Sequence, residues 1–230
     1  MSSSRDTILN KLRSARRPFD AAPPRPANYL PVLSIDDPGR EALIARFQSE
    51  MERLKGSTFI AQGDDDASAI VIDLLHKHNV THILAWDFAH IPVTDLETKL
   101  RQAGITITFP NTHEARSPDT MKLYGSAGAG ITSADAAIAV TGTLVLSASA
   151  GKGRIPTVLP PVWISIITSE QLFARLEDWL AHERAHGMTT MQERSNLVFV
   201  TGPSRTGDIE MQLILGVHGP GTQYVVIKHE

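Results

Sequence analysis

The thirty residues from Ile131 to Pro160 hold the densest set of groups able to do chemistry. Asp135 is suited to act as a general base or to hold a substrate hydroxyl; equally, a turn-forming Asp binds nearby backbone N–H groups. Thr141-Gly142-Thr143 puts two hydroxyls around a turn. Gly151-Lys-Gly-Arg154 is either an anion-binding loop or an ordinary solvated one. A companion segment, Gly202-Pro-Ser204-Arg205-Thr206, leaves a predicted strand and leads toward Asp208-Ile-Glu210. Free N–H groups at a helix start, two hydroxyls and a guanidinium there would cradle a carboxylate or phosphate. The alternative needs no ligand: Ser204 or Thr206 caps the helix and Arg205 pairs with Asp208 or Glu210. His218, in Gly216-Val-His-Gly-Pro220, is a candidate acid–base group or simply an exposed loop histidine.

Other patterns carry less. His182-Glu-Arg-Ala-His186 matches the zinc motif HExxH. On a helix drawn from Leu172, however, His182 points away from the apolar stripe, His186 lies at its flank and Gly187 ends the helix. No metal site is expected. His76 and His78, two apart, splay on a helix. Gly125-Ser-Ala-Gly-Ala-Gly130 has the spacing GxxGxG, not the GxGxxG of dinucleotide folds, and no serine sits in a GxSxG elbow.

The 230 residues contain no Cys, which removes disulfides, thiol nucleophiles and thiolate-held iron–sulfur clusters from this chain. A net charge of -3 gives no electrostatic reason to expect nucleic acid as a partner. No apolar run reaches the length of a membrane span, and the N-terminus lacks a signal-peptide core. A cytoplasmic protein is expected.

The elements that must position these groups follow from periodicity and caps. Arg5 to Arg16 reads as a short amphipathic helix and Pro18 to Pro31 as a linker, giving an N-terminal extension (1–31) and one domain (32–230). Asp37-Pro38 predicts a helix start ahead of the stripe Leu43, Ile44, Phe47, Met51, Leu54. Strands are predicted near Thr58–Ala61, Thr81–Trp86 and Ile105–Phe109. Between them lie a helix opened by Asp64–Asp66 and one with a Thr94/Glu97 capping box. Helix–strand alternation predicts a largely parallel α/β sheet. Thr141-Gly142 has hairpin spacing, which adds antiparallel character. Val162–Thr168, a helix capped by Ser169 with the stripe Leu172 to Leu180, and strands at Leu197–Thr201 and Gln223–Lys228 complete the pattern. Ligands of open α/β sheets bind at strand carboxyl ends, where both Gly/Arg-rich segments are expected.

Four ordered motifs then carry a resemblance: ADxAIAxTGTLVL (Ala134 to Leu146), RxPxxLP (Arg154 to Pro160), GPSRTGDIE (Gly202 to Glu210) and GVHGP (Gly216 to Pro220). Together they resemble the LUD-domain family, in its lactate utilization protein C group. The resemblance implies a Rossmann-like sheet of the NagB/RpiA/CoA-transferase type with helices on both faces. It also implies a part in oxidising L-lactate to pyruvate beside iron–sulfur partner proteins, with no cofactor held in this chain. Arg205, Ser204 and Thr206 would then hold a small carboxylate or phosphate, Arg154 would add charge, and Asp135, Thr141, Gly142 and Thr143 would line the opposite wall. His218 would handle protons. A stand-alone CoA-transferase-like or sugar-phosphate isomerase-like enzyme is the alternative. Two positions depart from the family pattern: LPxxHI reads Leu159-Pro-Pro-Val-Trp163-Ile164, and the acid often found before TGT is Val140.

Overall fold

Burial on both faces makes parallel strands near-continuous apolar runs, and HILA, AGIT and VWISIIT read that way. The computed structural model describes residues 4–15, 34–35, 37–111, 117–207 and 213–229. The chain divides into two compact units, Met1–Val32 and Leu33–Glu230. In the first, helix α1 (Ser4–Ser14) buries no side chain, and Ile8 and Leu12 are exposed. The predicted linker from Pro18 to Pro31 lies outside the described residues.

In the second unit six strands form one parallel sheet: β1 (Ser57–Gln62), β2 (His82–Ala85), β3 (Thr106–Thr108), β4 (Ala129–Thr132), β7 (Val162–Thr168) and β12 (Thr222–His229). Their spatial order is β1-β12-β7-β4-β2-β3. The chain leaves β2 outward to β3 but leaves β4 the other way to β7, so the order reverses between β2 and β4.

Helices α2 (Arg40–Arg53), α3 (Gly63–Lys77), α4 (Leu96–Gln102), α5 (Pro118–Gly125) and α6 (Ile155–Val158) belong to this layer. Tyr224 and Lys228, four residues apart on β12, share a face and meet α3 through His78 (2.9 Å) and Asp64 (2.7 Å). Gly130 and Trp163 point to the other face, where α6 comes so close that a Cβ on Gly130 would collide with the Pro156 carbonyl oxygen. Helices therefore flank both faces.

A second sheet has the order β8-β5-β6-β9, with β5 (Ala136–Ile138), β6 (Thr143–Ala148), β8 (Leu172–Phe173) and β9 (Asn196–Thr201). The turn predicted at Thr141-Gly142 connects β5 antiparallel to β6, with Ile138 opposite Thr143. Gly142 has φ +60, and a Cβ there would press on Leu54 and Glu50 at the end of α2. Alternation explains the apolar motif: Ala137, Leu144 and Leu146 join the main core, while Ala136, Ile138 and Val145 pack with Trp179 of α7 (Leu176–Ala185). This sheet is covered on both sides. The short helix α8 (Thr189–Gln192) precedes β9, and β10 (Arg205–Gly207) pairs antiparallel with β11 (Leu213–Leu215).

Four local expectations are corrected. Helix α2 starts at Arg40, because Asp37 spends a carboxylate oxygen on the Gly39 N–H (2.7 Å) in a turn before it. Thr94 and Glu97 form no capping box: the Thr94 amide goes to Asp64 (3.0 Å) and Glu97 pairs with Arg101. The helix expected from Ser169 begins only at Leu176. Leu172 and Phe173 pair with β5 instead, while Arg40 binds the carbonyls of Ser169 (2.6 Å) and Leu172 (3.2 Å). Finally, Arg205–Gly207 is itself a strand; the helix expected through Asp208 and Glu210 lies outside the described residues.

Asp64 ties three elements together, α3, β12 and the segment before α4. The Lys228 ammonium, then the Thr94 contacts, hold its carboxyl down at about 2. A depressed carboxyl pKa stabilises above its unfolded value and loses that contribution as pH falls through the folded one. Asp64→Asn should therefore cost about 1–2 kcal/mol at pH 7 in urea unfolding. The difference from wild type should shrink between pH 4 and pH 2; a pH-independent difference would contradict this assignment. Gly130→Ala should lower stability by about 1–3 kcal/mol or more, as overpacking does, measured by thermal melts; a neutral result would mean α6 is not held where it is described.

Candidate functional site

The Gly151–Arg154 loop does not stand free in solvent. It follows β6 and is strapped over the carboxyl end of β2: Asp87 N–H donates to Gly151 O (2.9 Å) and Trp86 Nε1 to Gly153 O (2.8 Å). Lys152 turns inward, is buried, and pairs with the Asp135 carboxylate. Its ammonium also lies 5.0 Å from the Trp86 ring centroid and 3.4 Å from Ser147 Oγ. Asp135 takes the Ser147 N–H as well, so both of its oxygens are engaged. Asp135 thus accepts from a backbone N–H twelve residues away on β6 and from a buried cation, and not from a local turn.

Arg154 is different. It is half-buried, burial pushes its guanidinium below the usual arginine range, and its Nε is buried without a hydrogen-bond partner. A desolvated cation without a counter-charge is costly, and an anion relieves it. Arg154 lines a cleft of about 1260 Å³ at the carboxyl ends of β2 and β3, one strand from the reversal between β2 and β4. Phe109, Asp87, Ser149, Glu193 and Arg194 line it as well. Glu97 at the rim is occupied by Arg101, and Asp87 accepts the Ala89 N–H.

The remaining expected residues stand elsewhere. β6 runs from Thr143, beside the end of α2, up to Ser147 at Asp135 and Lys152. Four residues of extended chain span about 13 Å. Thr141, Thr143 and Thr201 form a hydroxyl chain with 2.8 Å steps at the amino-end edge. Arg205 is exposed there and donates to Thr201 O (3.3 Å). Ser204 donates its amide to Pro220 O (2.9 Å) and lies against Gly219. Thr206 faces Ile214 in the β10–β11 hairpin, and His218 is exposed in the loop that feeds β12. The expectation that both Gly/Arg-rich segments meet at one carboxyl-end site is therefore corrected. Gly151–Arg154 is at that end; Gly202–Thr206 and Gly216–Gly221 are at the other, because β9 runs antiparallel to β6.

Sequence reasoning missed Phe109, Glu193 and Arg194 as cleft residues, since nothing in their local pattern marks them. Trp163, the departure from LPxxHI, is buried and donates its Nε1 N–H to Thr132 Oγ1 (2.9 Å). In the HExxH segment, the His182 and His186 rings stack at 4.1 Å and Glu183 accepts from Thr190 (3.0 Å). No group of metal-ligating side chains occurs among the described residues, and no helix among them is long and apolar enough to cross a membrane.

Breaking a buried ion pair costs about 3–5 kcal/mol because the other charge is stranded. Asp135→Asn and Lys152→Met should each lose stability on that scale in denaturant titrations, and the double variant should lose less than their sum. Strict additivity would show that the two groups do not act as a pair.

Comparison with known proteins agrees with this architecture. The model of the LUD domain matches residues 44–227. A protein of Macrococcus caseolyticus named Lactate utilization protein C is 29% identical over 166 residues, 71% of this chain and 68% of that protein. The protein of the same name from Shouchella clausii is 33% identical over 150 residues, 64% of this chain and 62% of its own length. The crystal structure of a DUF162 family protein from Deinococcus radiodurans superposes with a TM-score of 0.57 at 18% identity. That match covers 83% of this chain and 98% of the other, and it supports the fold. With the family model spanning β1 to β12 and both sheets, this chain belongs to the LUD domain family.

Proposed function

We propose that this protein serves lactate utilization by binding a small carboxylate, lactate or pyruvate, at Arg154 in the carboxyl-end cleft. The observation that carries the reading is the Arg154 guanidinium, desolvated, unpaired at Nε and lining the cleft. A planar carboxylate matches the guanidinium fork, and two parallel N–H···O bonds would restore what burial took from the cation. The names borne by the Macrococcus and Shouchella relatives support lactate as the acid.

Oxidation of a 2-hydroxy acid to a 2-oxo acid releases two electrons and two protons. Without Cys, this chain has no thiolate with which to hold an iron–sulfur cluster. We therefore assign electron transfer to iron–sulfur partner proteins, with this chain presenting or retaining the acid.

Two arginines separate the possible anion sites. Titration calorimetry with L-lactate and with pyruvate should show Arg154→Ala weakening binding about tenfold or more, the loss of a charge-assisted contact. Arg205→Ala should leave affinity unchanged. The reverse pattern would move the anion site to the amino-end edge and overturn the assignment.

A further inference from the structure

The cleft is larger and more apolar than a three-carbon acid needs. Its volume, about 1260 Å³, exceeds the roughly 300–1000 Å³ of pockets that enclose drug-sized ligands. Beside its charged and polar lining, Arg154, Asp87, Glu193 and Arg194 among it, the cleft has an apolar stretch of Phe109, Pro110 and Pro156 with Ala85, Ala148 and Ala150. A lactate held at Arg154 would leave most of that wall against water.

Phe109 is the residue that gives the wall a direction. It follows directly on β3, the edge strand, and 43% of it is exposed. Phe88 meets it at right angles, with ring centroids 6.0 Å apart, which fixes the plane of the ring while leaving part of it open. Arg154 begins the short helix that lies over β4, next to Gly130. Phe109, just beyond β3, and Arg154, just ahead of α6, line the same cleft. A ligand carrying both a carboxylate and an apolar ring can therefore meet both residues in one cleft. Aromatic rings pair favourably edge-to-face or offset, so a planar substituent has a partner in Phe109.

We infer that the preferred acid of this cleft is a 2-hydroxy or 2-oxo acid bearing an aromatic substituent, its carboxylate on Arg154 and its ring against Phe109. This rests on the reading of Arg154 as the anion anchor. It adds a specificity-determining residue, Phe109, and a substrate class larger than lactate.

Titration of the full chain with L-lactate and L-3-phenyllactate tests both levels. Wild type should bind phenyllactate at least tenfold more tightly than lactate. Phe109→Ala should erase that preference, and Arg154→Ala should weaken both acids. Equal affinity for the two acids in wild type, or exclusion of phenyllactate, would overturn the inference while the Arg154-dependent binding of lactate still stood. A preference that survives Phe109→Ala would overturn the role of Phe109. Binding of neither acid would sink the Arg154 reading and the inference together.

Discussion

A lysine ammonium taken out of water must be met by charge and dipoles, and at Lys152 that requirement gathers the molecule. Asp135 comes from the turn after β4, Ser147 from β6 and Trp86 from the end of β2, so the buried cation joins two sheets and a loop at one point. Coulomb attraction in a low dielectric is strong only while the geometry holds. The pair therefore acts less as added stability than as a constraint on where the loop sits. With Lys152 pinned inward and the Gly151 and Gly153 carbonyls bonded by Asp87 and Trp86, Arg154 has little choice of position.

The same constraint divides the work of neighbouring cations. Two residues apart in one loop, Lys152 is consumed by structure and Arg154 is left facing a cleft. Their difference does not come from residue type alone. The flexible lysine stem can turn back onto Asp135, whereas Arg154 begins α6, whose approach to β4 depends on the missing side chain at Gly130. A contact between a backbone carbonyl and a glycine thus sets the position of the residue proposed to bind the acid. Function here rests on packing several residues away from the chemistry.

The hydroxyl chain at the opposite edge has a role of its own. Thr141, Thr143 and Thr201 satisfy one another where β6 and β9 meet the end of α2, and Gly142 and Gly202 let Leu54 approach. Thr143, the buried member, must be paired, and the hydroxyls of the exposed Thr141 and Thr201 do this without charge. These motif residues close the second sheet against the main core.

The sequence by itself determined the parallel α/β layer, the β5–β6 turn at Gly142 and most helix faces, because apolar periodicity and turn chemistry are local properties. It also marked Arg154, through its neighbouring glycines and lysine. Where a cap or helix start was misplaced, a distant partner had taken the group: Asp64 took the Thr94 amide, and Arg40 took the carbonyls of Ser169 and Leu172. Only the tertiary structure decided which motif residues share a site. β6 carries the chain about 13 Å from one end of its sheet to the other, and β9 brings it back. Residues adjacent in a motif were thereby parted, and Phe109, 45 residues before Arg154, was brought to the same cleft. Spacing along a chain does not encode strand direction, and strand direction is what placed these side chains.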